Sequence, residues 1–200
     1  MRKGKTFTCL PLLIAAVFIL SFILLAAFSS QCLAAEKEYR LQINAKDTFV
    51  VTDSADMDIE VQKQEPMKFA DVKVTPKKGS AYILMLYFKS DTPDIAQFNT
   101  REKMQDSVIA SSQQYLLGSV EQNITLKELK LRNGYGYYAM LTDARLAKLI
   151  KVPPGEFKFI TNGIIRLSYD SVLVFNLMTN DRGKLHREML NYIVSFTKGK

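Results

Sequence analysis

The sequence has few of the side chains that catalytic sites most often use. Its 200 residues include one histidine, two cysteines and no tryptophan. His186 stands without the partners that a Ser-His-Asp triad or a two-histidine zinc site needs. Nine glycines and six prolines are too few for a collagen-like or low-complexity chain. The composition describes an ordinary globular protein and removes several classes of enzyme.

The first 35 residues have the layout of a secretory signal peptide. Three basic residues within the first five precede an apolar run over residues 10–28, and small and polar residues follow it. A signal peptidase accommodates small side chains at positions −3 and −1, which Cys32 and Ala34 supply. Cleavage is therefore predicted after Ala34, with Ala35 as the second choice.

Two other interpretations of this segment stay open. The apolar run is 19 residues long, close to the roughly 20 that span a bilayer, so residues 10–28 would also serve as an uncleaved anchor. A lipoprotein modified at Cys32 is the third interpretation, but Ser29 and Gln31 occupy the positions where a lipobox has an aliphatic and a small residue. We therefore expect a signal peptide or anchor over residues 1–34 and one exported domain over residues 35–200. The expected location is the periplasm or another extracytoplasmic site of a bacterium, with a tether to the inner membrane if the segment stays uncleaved.

Removal of this segment changes the chemistry of the chain. Both cysteines, Cys9 and Cys32, lie within it, so the exported domain has no disulfide, thiolate metal site or cysteine nucleophile. The segment also carries three basic and no acidic residues, which leaves 24 basic against 20 acidic residues and a net charge of +4. This mild excess favours weak attraction to anionic lipid headgroups or acidic partners, and it does not support nucleic-acid binding.

Alternation of apolar and polar residues predicts a domain that is rich in strands. Strands are predicted over residues 47–52, 57–62, 72–75, 82–88, 124–131, 135–141, 156–167 and 172–178. The continuous apolar run at 82–88 is typical of a central strand that is buried on both faces. Within 124–131 the alternation changes phase, which predicts a bulge at Lys127-Glu128. Asn133-Gly134 predicts a hairpin that pairs residues 124–132 with 135–142.

Two segments have helical spacing. The first runs from about Thr100 to Leu117, with Asn99 as the expected N-cap and Gly118 placed to end it. The second is an amphipathic terminal helix whose apolar face holds Leu185, Met189, Tyr192, Ile193 and Phe196. On this helix the pattern predicts His186 on the polar side. The predicted fold class is α+β, with an antiparallel sheet flanked by two main helices.

This order of elements resembles the Mog1/PsbP-like fold superfamily. The resemblance rests on Gly134-Tyr135-Gly136-Tyr137-Tyr138, Pro154-Gly155-Glu156-Phe157-Lys158-Phe159, Gly163-Ile164-Ile165 and the segment 173–180 that leads into the last helix. It covers nearly the whole exported chain as a pattern of elements and brings no catalytic signature. The resemblance implies a central antiparallel sheet with a terminal helix against it, and a binding or assembly factor more than an enzyme.

The hairpin after Asn133-Gly134 is the strongest candidate for partner binding. Tyr135 and Tyr137 are expected on one face of a strand and Tyr138 on the other, beside glycines that leave the backbone open. Asp143 and Arg145 follow in a loop, where they would bind a partner or pair with each other. Core packing of the tyrosines is the competing interpretation of the same residues.

No cofactor or metal site is predicted. The acidic segment Asp53, Asp56, Asp58 and Glu60 departs from the EF-hand pattern, because it has no glycine at the sixth position and Gln64 at the twelfth. The expected function is therefore a non-enzymatic exported binding or accessory protein of the bacterial cell envelope, with a protein partner there. The alternatives are a hydrolase with a carboxylate-based site and an envelope-stress or toxin-neutralising protein.

Overall fold

The computed structural model describes residues 38–42, 48–52, 57–64, 69–78, 82–90, 93–131, 134–195 and 197–199. The predicted leader, including the anchor interpretation and Cys32, lies outside these residues. The same holds for Asp53 and Asp56 of the acidic segment, for Asn133 of the hairpin turn and for Phe196 of the terminal helix.

The described residues form ten strands, two α-helices and one 3₁₀ helix, which confirms the predicted α+β class. The strands are β1 (Glu38–Gln42), β2 (Thr48–Thr52), β3 (Met57–Gln64), β4 (Phe69–Pro76), β5 (Tyr82–Ser90), β6 (Leu126–Lys130), β7 (Tyr135–Thr142), β8 (Phe159–Ser168), β9 (Ser171–Thr179) and β10 (Thr197–Gly199). The helices are the 3₁₀ helix Pro93–Phe98, α1 (Arg101–Leu116) and α2 (Lys184–Ser195). The strands β1 and β10 and the 3₁₀ helix have no counterpart among the predicted elements.

Seven of these strands form one antiparallel sheet in the order β3-β4-β5-β9-β8-β7-β6. Consecutive strands pair as neighbours except at one place, where β5 pairs with β9 from Tyr82↔Thr179 to Ser90↔Ser171. The other three strands form a small sheet in the order β1-β2-β10. The predicted hairpin forms, because β6 pairs with β7 from Leu126↔Ala139 to Lys130↔Tyr135.

One face of the large sheet, the α2 face, holds the larger hydrophobic cluster. Met189, Leu190 and Ile193 of α2 are buried there together with Phe49 and Val51 of β2. The sheet contributes buried residues from seven positions on its central strands, namely Tyr82, Leu84, Leu86, Ile165, Leu173, Phe175 and Leu177. The apolar stripe that the sequence places on α2 is thus in the core, as predicted.

The opposite face, the α1 face, is covered over β6, β7 and β8. Met104 and Val108 of α1 and Phe98 of the 3₁₀ helix are buried there against Tyr137 and Ile164. Because both faces are covered at β8, six successive residues from Thr161 to Arg166 are all buried. Burial on both faces was predicted for β5, where the described side chains Tyr82, Leu84 and Leu86 are buried on the α2 face.

Two local predictions were wrong. Thr100, and not Asn99, is the N-cap of α1, because its hydroxyl accepts a hydrogen bond from the Lys103 amide at 3.2 Å. The bulge at Lys127-Glu128 is absent, since β6 and β7 pair without a shift of register. Leu126 and Leu129 lie on opposite faces of the sheet, in the two different clusters. A sheet that is covered on both faces needs no extra residue to bring them into phase.

Candidate functional site

The three hairpin tyrosines divide between the two faces of the sheet, as predicted. Tyr135 and Tyr137 lie on the α1 face with ring centroids 6.3 Å apart, and Tyr138 lies half-buried on the α2 face. Tyr137 is only 5% exposed. The expectation that Tyr137 is a surface anchor is therefore wrong, because its ring is part of the core that α1 covers.

Arg101, in the first turn of α1, connects this helix to the hairpin. Its guanidinium donates hydrogen bonds to the Tyr137 hydroxyl and to Glu128 Oε1, each at 2.8 Å. The guanidinium carbon also lies 4.5 Å from the centre of the half-exposed Tyr135 ring. The hydrogen bonds to Glu128 and Tyr137 raise the pKa of Arg101, so the cation is stabilised where it covers the aromatic ring.

A second arginine and tyrosine pair lies at the same end of the sheet, which we call the hairpin end. Arg166 pairs in register with Tyr135 and is buried. Its guanidinium donates to the Phe98 carbonyl at 2.6 Å and to the Tyr169 carbonyl. The Tyr169 ring is 90% exposed and its centre is 5.7 Å from the guanidinium carbon. The sequence patterns place residues 168–171 between two predicted strands and do not single out Tyr169.

The sequence leaves open whether Asp143 and Arg145 bind a partner or pair with each other. In the structure they pair with each other. Arg145 Nη2 is 3.0 Å from Asp143 Oδ2 and 3.6 Å from Glu156 Oε2, and the Arg145 amide donates to Asp143 Oδ1 at 2.8 Å. The hydrogen bond from the Arg145 side chain lowers the pKa of Asp143. A partner would have to compete with this internal pairing.

Contrary to the prediction from the sequence, the hairpin turn and the Asp143–Arg145 loop do not lie close enough to form one binding site. Tyr135 begins β7, and Asp143 follows its last residue, Thr142. Eight residues of extended chain separate them, which is about 26 Å at about 3.3 Å per residue. Tyr135 and the Asp143–Arg145 pair therefore lie at opposite ends of β7 and cannot contact one small ligand together.

The end that holds Asp143, which we call the loop end, exposes several aliphatic side chains. Residues 117–120 and 143–151 meet there through hydrogen bonds from the Val120 amide to the Thr142 carbonyl at 2.9 Å and from the Ala144 amide to the Gly118 carbonyl at 3.0 Å. Four large aliphatic residues at this end are exposed, namely Leu117, Val120, Leu149 and Ile150. The sequence patterns single out none of the four as a surface residue, and Leu117 enters only as the predicted end of the first helix.

His186 is buried, so its assignment to the polar side of the terminal helix was wrong. It lies in the first turn of α2, and its Nε2 is 2.9 Å from Thr161 Oγ1. The pair has the spacing of a hydroxyl nucleophile and its base, but Thr161 has no exposed surface and His186 almost none. The contact satisfies two polar groups inside the core and offers a substrate no access.

Acidification below about pH 6.5 is expected to lower the stability of the protein through His186. Burial, followed by the nearby charge of Lys127, lowers the pKa of His186 below its ordinary 6.5, although Asp181 opposes the shift. The unfolded state then binds more protons between the lowered value and 6.5. This contribution to stability is complete above pH 6.5 and is lost as the pH falls toward the folded-state pKa.

Melting temperatures of the wild type and of His186→Gln, measured from about pH 8 to 5, test this dependence. The wild-type curve should fall more steeply on acidification than the variant curve. Hydrogen bonds from the Leu185 and Gly183 amides lower the pKa of Asp181 below 3.8, so Asp181 stays ionised over this pH range and does not contribute to the difference between the two curves. Parallel curves for the two proteins would contradict the prediction.

The described residues contain neither a cluster of metal-binding side chains nor a helix that could span a membrane. Within them, no group of three or more His, Cys, Asp and Glu side chains has the arrangement of a metal site. Asp58 and Glu60 of the acidic segment are exposed on β3, and Glu60 lies 3.6 Å from Lys73. Over the same residues, no helix combines the length and apolar character that crossing a bilayer requires.

Comparison with known proteins gave no match, either to a protein-family model or to a curated protein.

Proposed function

We propose that this chain is a non-enzymatic accessory protein of the bacterial cell envelope that binds a protein partner at its hairpin end. The surface concerned, the hairpin-end surface, consists of Arg101, Glu128, Tyr135 and Tyr169. Export is proposed from the basic start and the apolar run at residues 10–28. The lack of cysteine after residue 32 and the burial of the single histidine support a binding role over catalysis.

The observation that carries this proposal is the exposed Tyr169 ring beside a row of arginine and tyrosine side chains. Tyr169 lies next to Arg166, Arg166 is the register partner of Tyr135, and Arg101 covers Tyr135. Tyrosine and arginine dominate the binding energy of protein interfaces, and the tyrosine ring brings a large amphipathic area at a small loss of rotamer entropy. Glu128, paired with Arg101, adds a negative charge that would orient the partner.

The backbone around Tyr169 is held before any partner arrives. The Arg166 guanidinium donates a hydrogen bond to the Tyr169 carbonyl. Within the same turn, Ser168 Oγ donates to Asp170 Oδ1 at 2.7 Å. A turn that is already ordered loses little conformational entropy when its side chain is buried by a partner. The Tyr169 ring contributes little to the fold itself, since only a tenth of its surface is covered.

Replacing Tyr169 by Ala is therefore expected to weaken partner capture by at least about tenfold and to leave the melting temperature unchanged. The full-length protein is cross-linked in cells of its own host, and the adducts are quantified against the amount of protein. Tyr169→Phe, which keeps the ring, should retain capture, and Leu117→Ala at the opposite end should have no effect. Equal adducts from the wild type and Tyr169→Ala would contradict the proposed surface.

A further inference from the structure

We propose that the loop end of the sheet docks on the surface of an anionic lipid bilayer. The surface concerned, the loop-end surface, consists of Leu117, Val120, Leu149 and Ile150 together with Lys148 and Lys151. It is independent of the hairpin-end surface, from which β7 separates it by about 26 Å.

The aliphatic side chains of this surface are unusually open to water. Leu117 is 99% exposed and Ile150 is fully exposed, while Val120 and Leu149 are 57% and 40% exposed. Single exposed apolar residues are common on protein surfaces, but here four lie on two loops that are joined by the hydrogen bonds between Val120 and Thr142 and between Ala144 and Gly118. Transfer of these side chains into the apolar part of a bilayer interface removes their area from water, which is favourable.

Hydrogen bonds hold the backbone of both loops. Leu146 already fills the inward position of the second loop and is buried. The Leu149 amide donates to the Leu146 carbonyl at 3.0 Å, and Lys158 Nζ donates to the Leu149 carbonyl at 2.7 Å. The first loop is tied to Thr142 and Ala144 by the backbone hydrogen bonds described above. The Leu149 backbone is therefore held at both its amide and its carbonyl, with the side chains of Leu149 and Ile150 exposed.

The charges around the patch favour an anionic surface. Lys148 and Lys151 flank Leu149-Ile150, are exposed, and make no salt bridge within the described part of the chain. The neighbouring acids Asp143 and Glu156 both face Arg145, at 3.0 and 3.6 Å. Arg145, Lys148, Lys151 and Lys158, whose Nζ donates to the Leu149 carbonyl, are four cations at this end against the three acids Asp143, Glu156 and Glu121. Of these four cations, Lys148 and Lys151 lie directly beside the exposed Leu149 and Ile150.

A third acid at this end is also engaged inside the protein. The Glu121 carboxylate accepts hydrogen bonds from the Thr142 amide and hydroxyl, each at 2.8 Å. It is therefore held at the end of β7, where it keeps its negative charge. Lysines at such positions bind lipid phosphates while their stems lie along the apolar surface.

The composition of the patch distinguishes a bilayer from a protein partner. Interfaces between proteins are enriched in tyrosine, tryptophan and arginine and depleted in lysine. The loop-end surface has the opposite composition, with aliphatic side chains between lysines and no aromatic residue. Segments that lie in the bilayer interface combine apolar residues with lysines that contact anionic headgroups. The hairpin-end surface is thus rich in tyrosine and arginine, whereas the loop-end surface is rich in aliphatic residues and lysine.

The absence of tryptophan from the chain allows a direct test on the full-length protein. Ile150→Trp and Tyr169→Trp each place one tryptophan at one end of the sheet and share the same residues 1–34. With vesicles that contain phosphatidylglycerol, the emission of Ile150→Trp should shift to the blue and be quenched by brominated lipids. The emission of Tyr169→Trp should not change. Vesicles of phosphatidylcholine alone should give Ile150→Trp a much smaller shift.

Replacing Lys148 and Lys151 by Gln in the Ile150→Trp protein should weaken its affinity for the anionic vesicles by about fivefold per lysine. The melting temperature should stay constant, because both side chains are exposed. Three results would overturn the proposal: no blue shift of Ile150→Trp with anionic vesicles, an equal shift of Tyr169→Trp, or a shift that protein concentration alone produces. The last would identify a second copy of the chain as the occupant.

Discussion

Ile193→Asp is expected to unfold the protein or to lower its free energy of unfolding by about 4 kcal/mol or more. Ile193 has no exposed surface and lies in the cluster on the α2 face with Met189 and Leu190. An aspartate there loses the packing of the aliphatic side chain and places a charge without a partner in an apolar environment. Since small domains are stable by only about 5–15 kcal/mol, a loss of this size approaches the whole stability.

Urea denaturation of matched variants of α2 measures the effect. Asn191→Asp adds the same charge two residues earlier at an exposed position and should change stability by no more than about 0.5 kcal/mol. Ile193→Val removes one methylene and should lower stability by about 1 kcal/mol, which provides a value even if the aspartate variant does not fold. A wild-type midpoint for Ile193→Asp would place this helix face in water.

Gly163→Ala is expected to lower the free energy of unfolding by about 2–3 kcal/mol, although it adds a single methyl group. Gly163 lies on β8 opposite Phe175 of β9. A Cβ at this position would overlap the edge of the Phe175 ring and lie 2.9 Å from the Tyr137 carbonyl oxygen. Phe175 is fully buried and the Tyr137 carbonyl is part of the β7 backbone, so neither moves away easily.

A double variant separates this overlap from a general effect of alanine. Phe175→Leu should weaken the protein by itself, but it removes the ring edge that the new methyl group meets. The combined variant should therefore be more stable than the sum of the single effects predicts, by about 1 kcal/mol or more. Gly118→Ala is the control, because a Cβ there meets no atom within 4 Å. Additive losses at Gly163 and Phe175 would contradict the proposed overlap.

Local patterns in the sequence were enough to predict most of the secondary structure. The alternation at Met57–Gln62 lies within β3, the Asn133-Gly134 pair lies between two strands that do pair, and the apolar stripe of the last helix is buried on α2. Each of these signals comes from residues within one element or one turn, where the period of two or about 3.6 reports which side faces the core. The α+β class follows from the same patterns.

The separation of the proposed site into two ends was also present in the sequence. A predicted strand over residues 135–141 already places Tyr135 far from Asp143, since an extended strand advances about 3.3 Å per residue. The tyrosines and the Asp143–Arg145 loop are neighbours along the chain, which is the one basis for predicting a joint site. Their roles in partner binding stay predictions, with Tyr137 and Tyr138 now placed against the core.

Other features required the tertiary structure, because they depend on residues that are distant in the chain. Whether a tyrosine at a hairpin is exposed depends on what covers it, and Arg101 reaches Tyr135 and Tyr137 from a helix more than 30 residues away. The burial of His186 depends on Thr161 in the same way. The periodicity of one segment carries no information about the element that lies against it.

By itself the sequence determined the α+β class, most of its strands and the buried face of its last helix, because hydrophobic periodicity and turn residues act over a few positions. Tertiary structure alone decided the pairing of β5 with β9 and the burial of Tyr137 and His186. The physical reason is that burial and exposure are properties of the assembled layers. A side chain becomes core or surface only when distant strands and helices have come together around it.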